Sequence, residues 1–183
     1  MPKLSFDDFV RREQQAVRDQ NATDWAAEKE AWIESLDSLF IQVSGYLREY
    51  VEAGQVSINY TEIELNEENI GSYAARKMFV TIGTKTVVLE PIGTLLVGSK
   101  GRVDVVGPLS KAQLLLLDSE ARSVQELFRV SVSVGRATPP PRPPGPSKPI
   151  RWIWRIVTKP PRMEIIEITK DSFLSLLTEL ANG

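Results

Sequence analysis

The chain contains neither cysteine nor histidine among its 183 residues. Without cysteine there is no disulfide, no thiolate nucleophile and no zinc–thiolate centre, and the composition suits a reducing, cytoplasmic setting. Without imidazole there is no Ser-His or Cys-His pair and no side chain that ordinarily titrates near neutrality. Catalysis would fall to carboxylates, lysine or tyrosine. Long apolar runs are missing as well. The longest block, Leu114 to Leu117, is strand-sized, and no window of about 18 apolar residues exists to span a bilayer. The opening MPKLSFDDFVRREQQ carries acids where a secretory leader needs an apolar stretch. Neither a membrane span nor a leader is expected.

The net charge of −2 hides a strong asymmetry. Residues 1–70 hold 6 basic and 15 acidic groups, whereas residues 135–163 hold 7 basic groups and no acid. Such polarity bears on partners or on internal pairing rather than on fold.

Periodicity predicts a short helix over 5–19 and a long one over 24–53. The long one carries a stripe of Trp25, Trp32, Leu36, Leu39, Phe40, Val43, Leu47, Tyr50 and Val51, and Gly54 is placed to stop it. A stripe of this kind faces a core more often than a partner helix. From Gln55 the period changes to two. Short β-rich runs separated by Gly-, Ser- and Pro-containing turns predict an antiparallel meander, with a break or bulge at Pro91–Gly93. A helical turn is expected near 119–127, then a strand over 127–134 paired with one over 150–157, so that 135–149 form an exposed hairpin tip. Thr169 or Asp171 caps a last helix bearing Phe173, Leu176, Leu177 and Leu180.

The expected architecture is therefore a single α+β domain over 1–183. N-terminal helices (1–54) pack on a mostly antiparallel meander of about seven or eight strands (55–168), and a C-terminal helix (169–183) closes it.

The segment RATPPPRPPGPSKPIRWIWR raises the sharpest functional question. Seven of the eleven residues from Pro139 to Pro149 are proline, which imposes an extended, solvated polyproline-II-like course. Within it, Pro141, Arg142, Pro143, Pro144, Pro146 and Lys148 offer the Pro-x-x-Pro-x-basic pattern that aromatic grooves accept. A stiff, soluble loop without a partner is the plainer account of the same residues. The basic block Arg136, Arg142, Lys148, Arg151, Arg155, Lys159 and Arg162, interleaved with Trp152 and Trp154, is the alternative: cations on phosphates and rings on bases. Alternation favours both tryptophans facing the core, with Arg151 and Arg155 turned away.

Other candidates are weaker. GSKGR (98–102) joins two strands and lacks the helix N-terminus of a phosphate loop, so a hairpin turn is expected. Glu62, Glu64, Glu67 and Glu68 suit a solvated, charge-protected edge strand better than a calcium loop. Glu90 and Asp104, the acids of the central strands, are the only candidates for acid–base chemistry. No catalytic residue, metal or cofactor is expected. The sequence points to a non-catalytic cytoplasmic interaction module, an accessory or regulatory subunit binding a protein partner or a second copy. The alternative is a nucleic-acid-binding protein using 136–162.

Overall fold

A computed structural model describes residues 24–94, 99–120, 151–158 and 164–182. The expected helix over 5–19, all but the first two residues of the turn expected over 119–127, the strand expected over 127–134 and the proline-rich segment 135–149 lie outside the described residues.

Helix α1 runs from Trp25 to Glu52. Asp24 caps it by accepting from the Ala27 N–H at 3.1 Å. It ends in a Schellman motif: Gly54, at φ +70°, donates to the Val51 carbonyl and Gln55 to that of Tyr50. Among the described residues seven strands follow in sequence order, each antiparallel to the next: β1 (Val56–Glu67), β2 (Gly71–Ile82), β3 (Lys85–Gly93), β4 (Gly101–Val106), β5 (Lys111–Asp118), β6 (Trp152–Val157) and β7 (Ile165–Glu167). Helix α2 (Lys170–Asn182) closes the described chain. Thr169 caps it, its hydroxyl accepting from the Ser172 N–H while Ser172 Oγ accepts from the Thr169 N–H. The α+β meander with flanking helices is the architecture the sequence predicts.

Both helices pack on one face of the sheet. Trp32, Leu36, Leu39, Phe40, Val43 and Leu47 of α1 and Phe173, Leu177 and Leu180 of α2 share one apolar cluster with Met78, Val80, Val87, Leu89, Val103, Val105 and Leu114. The last turn of α1 corrects the sequence. Tyr50 and Val51 are 38% and 39% exposed rather than core residues. At 3.6 residues per turn Tyr50 lies on the inward side, but it does not join the apolar cluster, and Val51 falls on the flank rotated away from it.

The register shifts between Pro91 and Gly93, where Gly93 adopts φ +141°. The expected bulge is there. β1 and β2 pair along their whole lengths, but β2 pairs with β3 only from Met78 to Ile82. Beyond that point the burial of β2 changes parity: Met78 and Val80 are buried in one half, Tyr73 and Ala75 in the other. The free half of a two-stranded ribbon twists strongly, and here the twist turns its opposite side inward.

β6 lies between β5, which pairs with it along Trp152–Val157, and β7, which pairs with Arg155–Val157. Both edges of Arg155–Val157 are thus taken. The expected pairing with 127–134 falls outside the described residues.

Candidate functional site

The flank of α1 beside β1 forms one wall of a wide surface groove. Rotated by about 100° from the buried stripe, Asp37, Ile41, Ser44, Arg48 and Val51 face the outermost strand. Together with Phe40, Ile58 and Tyr60 they line a groove of about 510 Å³. Its floor is set by Tyr60, whose ring lies 5.9 Å from that of Phe40 and whose hydroxyl shares a hydrogen bond with Ser44 Oγ at 3.2 Å. Arg76 on β2 places its guanidinium 5.3 Å from the Tyr60 ring centroid and bonds Asp37 at 2.6 Å. That hydrogen bond, and then the Asp37 charge, hold the Arg76 guanidinium above its ordinary value. On the helix side Ile41 is 74% exposed, a large apolar side chain left to water. The sequence gives no direct sign of the groove, because its residues sit between two periodic faces and become neighbours only when α1 lies against β1.

The four acids of β1 and its turn separate. Glu62, Glu64 and Glu68 are exposed, as the edge-strand account requires. Glu67 is not: it is buried at 8% exposure. Its Oε1 accepts from the Tyr73 hydroxyl, and its Oε2 accepts from the Thr94 N–H at 2.9 Å and the Thr94 hydroxyl at 2.7 Å. The inward twist of the hairpin carries Glu67 over the bulge, and a β-carbon on Gly93 would meet its carboxyl carbon at 2.9 Å. A buried carboxylate needs such donors to offset lost hydration. Burial first, then the hydrogen bond and charge of Glu67, push the Tyr73 phenol well above its ordinary range. The Trp32 indole N–H comes close enough to Tyr73 to oppose this shift, yet it closes no hydrogen bond. The cluster is a structural clamp between the hairpin and β3.

Glu90 and Asp104 do come together, directly opposite each other on β3 and β4. Each is occupied by a cation: Lys77 reaches Glu90 at 2.5 Å, and Arg102 grips both oxygens of Asp104 at 2.6 and 2.9 Å. Neither carboxylate is placed as a free base. Among the described residues, no group of three or more acids could hold a metal ion.

The described part of GSKGR, residues 99–102, does more than turn the chain. Lys100 Nζ bonds both Glu28 oxygens at 2.9 and 2.8 Å and lies 5.4 Å from the Trp152 ring centroid. Gly101 packs so closely on Trp32 that no side chain fits between them. The segment anchors the start of α1.

Trp152 and Trp154 share the helix-facing side, as alternation predicts. Trp154 lies 5.9 Å from Trp32, and its indole N–H donates to the Ser35 carbonyl at 3.0 Å. Arg155 points to the other side and pairs with Glu167 at 3.3 Å. Arg151 is exposed. The remaining candidates of the basic block (Arg136, Arg142, Lys148, Lys159, Arg162), and Pro141, Pro143, Pro144 and Pro146, lie outside the described residues. No described helix is long and apolar enough to cross a membrane. No protein family, no curated protein and no solved structure matches the chain.

Proposed function

We propose that the chain is a non-catalytic cytoplasmic interaction module, an accessory or regulatory subunit, and that it docks an extended segment of a protein partner along β1 beside the α1 groove. The observation that carries this is a groove running beside β1, whose outer side pairs with no strand among the described residues: Ser57, Asn59, Tyr60 and Thr61 are all exposed. An extended peptide gains affinity from main-chain hydrogen bonds to such an edge and specificity from alternate side chains laid into the groove. The absence of histidine and cysteine from the sequence, and the pairing of Glu90 and Asp104 with cations, support a binding role over a catalytic one.

The proline-rich tip, with Pro141, Arg142, Pro143, Pro144, Pro146 and Lys148, is a second contact for the same partner. The test is capture with the immobilised parent, with Asn59→Lys, and with residues 137–149 replaced by a Gly-Asn turn. Hydrogen exchange then follows the captured complex. Protection of the Val56–Thr61 amides, lost with Asn59→Lys, is the expected result. Partner binding unchanged by both variants would overturn the proposal. A salt-sensitive gel shift with DNA or RNA, abolished by Arg151→Ala with Arg155→Ala, would install the nucleic-acid alternative, since phosphate contacts weaken steeply with salt.

A further inference from the structure

Edge strands expose a row of unpaired N–H and C=O groups, and folded proteins protect them with charge, proline, bulges or short length. Among the described residues β1 and β7 are the edges of the sheet, and they differ in that respect. β7 is three residues long and ends on the exposed Glu167. β1 is twelve residues long, and from Val56 to Thr61 it has no charge and no proline. Its register with β2 runs without a bulge. Protection begins only at Glu62 and Glu64. The unprotected half is also the half that borders the groove, where Ile41, Val51 and Tyr60 present apolar surface to water.

We propose that this edge is a self-association surface: two copies pair antiparallel through Val56–Glu62 about a twofold axis at Asn59, joining their sheets into one. The proposal rests on the docking role above and names its occupant, a second copy of the chain. The register follows from the side chains. With the axis at Asn59, Ile58 faces the partner's Tyr60 on the groove side twice over, an aromatic–β-branched pair of the kind that stabilises antiparallel strands. On the opposite side Ser57 faces the partner's Thr61, and the two Asn59 residues face each other. Moving the axis to Tyr60 sets Ile58 against the partner's Glu62, and moving it to Glu62 sets like charges directly opposite. The uncharged window selects the Asn59 axis.

Charge placement agrees. Antiparallel pairing carries the partner's Glu62 to the Val56 end of the strand, the end at which Arg48 stands on α1, with Glu52 one turn further along. Neither Arg48 nor Glu62 has an ion partner among the described residues. Each copy therefore brings an unpaired cation towards the other's unpaired acid, and the arrangement is the same at both ends, as a twofold interface requires.

The experiment is sedimentation equilibrium on the full chain over a range of concentrations. The parent is expected at twice the chain mass of 20.5 kDa. Asn59→Lys puts like charges face to face on the axis at an exposed position, so it is expected to give a monomer with an unchanged thermal midpoint, read at a concentration where the parent is also monomeric. Arg48→Glu is expected to weaken association at least about tenfold, and Arg48→Glu with Glu62→Arg to restore it. A parent monomeric at every concentration overturns the proposal, as does an Asn59→Lys chain that dimerises like the parent. Failure here is separable from failure of the docking role. A monomeric parent that still gains protection at Val56–Thr61 in a captured complex retains the docking role and loses only the second copy as occupant.

Discussion

Replacing Gly101 by alanine gives the most sensitive check on how α1 is seated. A β-carbon at Gly101 would lie 2.1, 2.5 and 2.9 Å from Cζ3, Cε3 and Cη2 of Trp32. Ordinary carbon contacts fall at about 3.5–4.0 Å, so the indole would have to retreat by about 1.4 Å or more. It has little free space: Trp32 is 2% exposed and packs at a tilt against Trp154. Overpacking of this kind costs about 1–3 kcal/mol. Gly101 is not among the glycines with positive φ, so alanine also restricts the unfolded chain without backbone strain, a gain of about 0.4–1 kcal/mol. The clash should win, leaving a net loss on the order of 1–2 kcal/mol. Urea unfolding measures it as a lower midpoint at constant slope. Repeating the substitution on a Trp32→Leu background removes the ring, and the cost should shrink by at least about 1 kcal/mol as a coupling energy. A Gly101→Ala chain as stable as the parent, or equal costs on both backgrounds, would refute the packing assigned to this contact.

Leu36→Ala, at 2% exposure in the α1 stripe, should cost about 2–5 kcal/mol, whereas Tyr50→Ser at 38% exposure should stay within about 0.5 kcal/mol; urea midpoints compare the two. Tyr73→Phe removes one donor from the buried Glu67 carboxylate and should cost on the order of 1.5–3 kcal/mol at neutral pH. The same residue sets an alkaline limit. Its folded pKa is raised above the ordinary 10.0, so its stabilisation is present below that value and lost as pH rises above it. Unfolding followed from about pH 9 to about pH 11 should show a fall in stability that is smaller in Tyr73→Phe. Arg155→Ala should lower stability by less than about 1 kcal/mol, because its partner Glu167 is 74% exposed and water screens the pair.

What the sequence by itself determined is what local periodicity encodes. The α1 stripe from Trp32 to Leu47, the Gly54 stop, the Thr169 cap, the Pro91–Gly93 bulge and the shared face of Trp152 and Trp154 all depend on backbone period or on a residue's own conformational limits. They are therefore legible within a few neighbouring positions. What only the tertiary structure decided depends on which elements meet. Glu62, Glu64, Glu67 and Glu68 are chemically alike, and the twist of the hairpin alone chose Glu67 for burial against Tyr73 and Thr94. Gly101 reads as an ordinary turn glycine until Trp32, far away in sequence, closes on it. Tyr50 continues the stripe by period yet stays largely exposed, and Val51, one position on, falls on the rotated flank that lines the groove. The groove is of the same kind: Ile41, Ser44 and Arg48 acquire meaning only beside Ile58 and Tyr60. The period of a helix or strand fixes which side chains share a face, but the surface that face meets is set by contacts between segments distant in the chain.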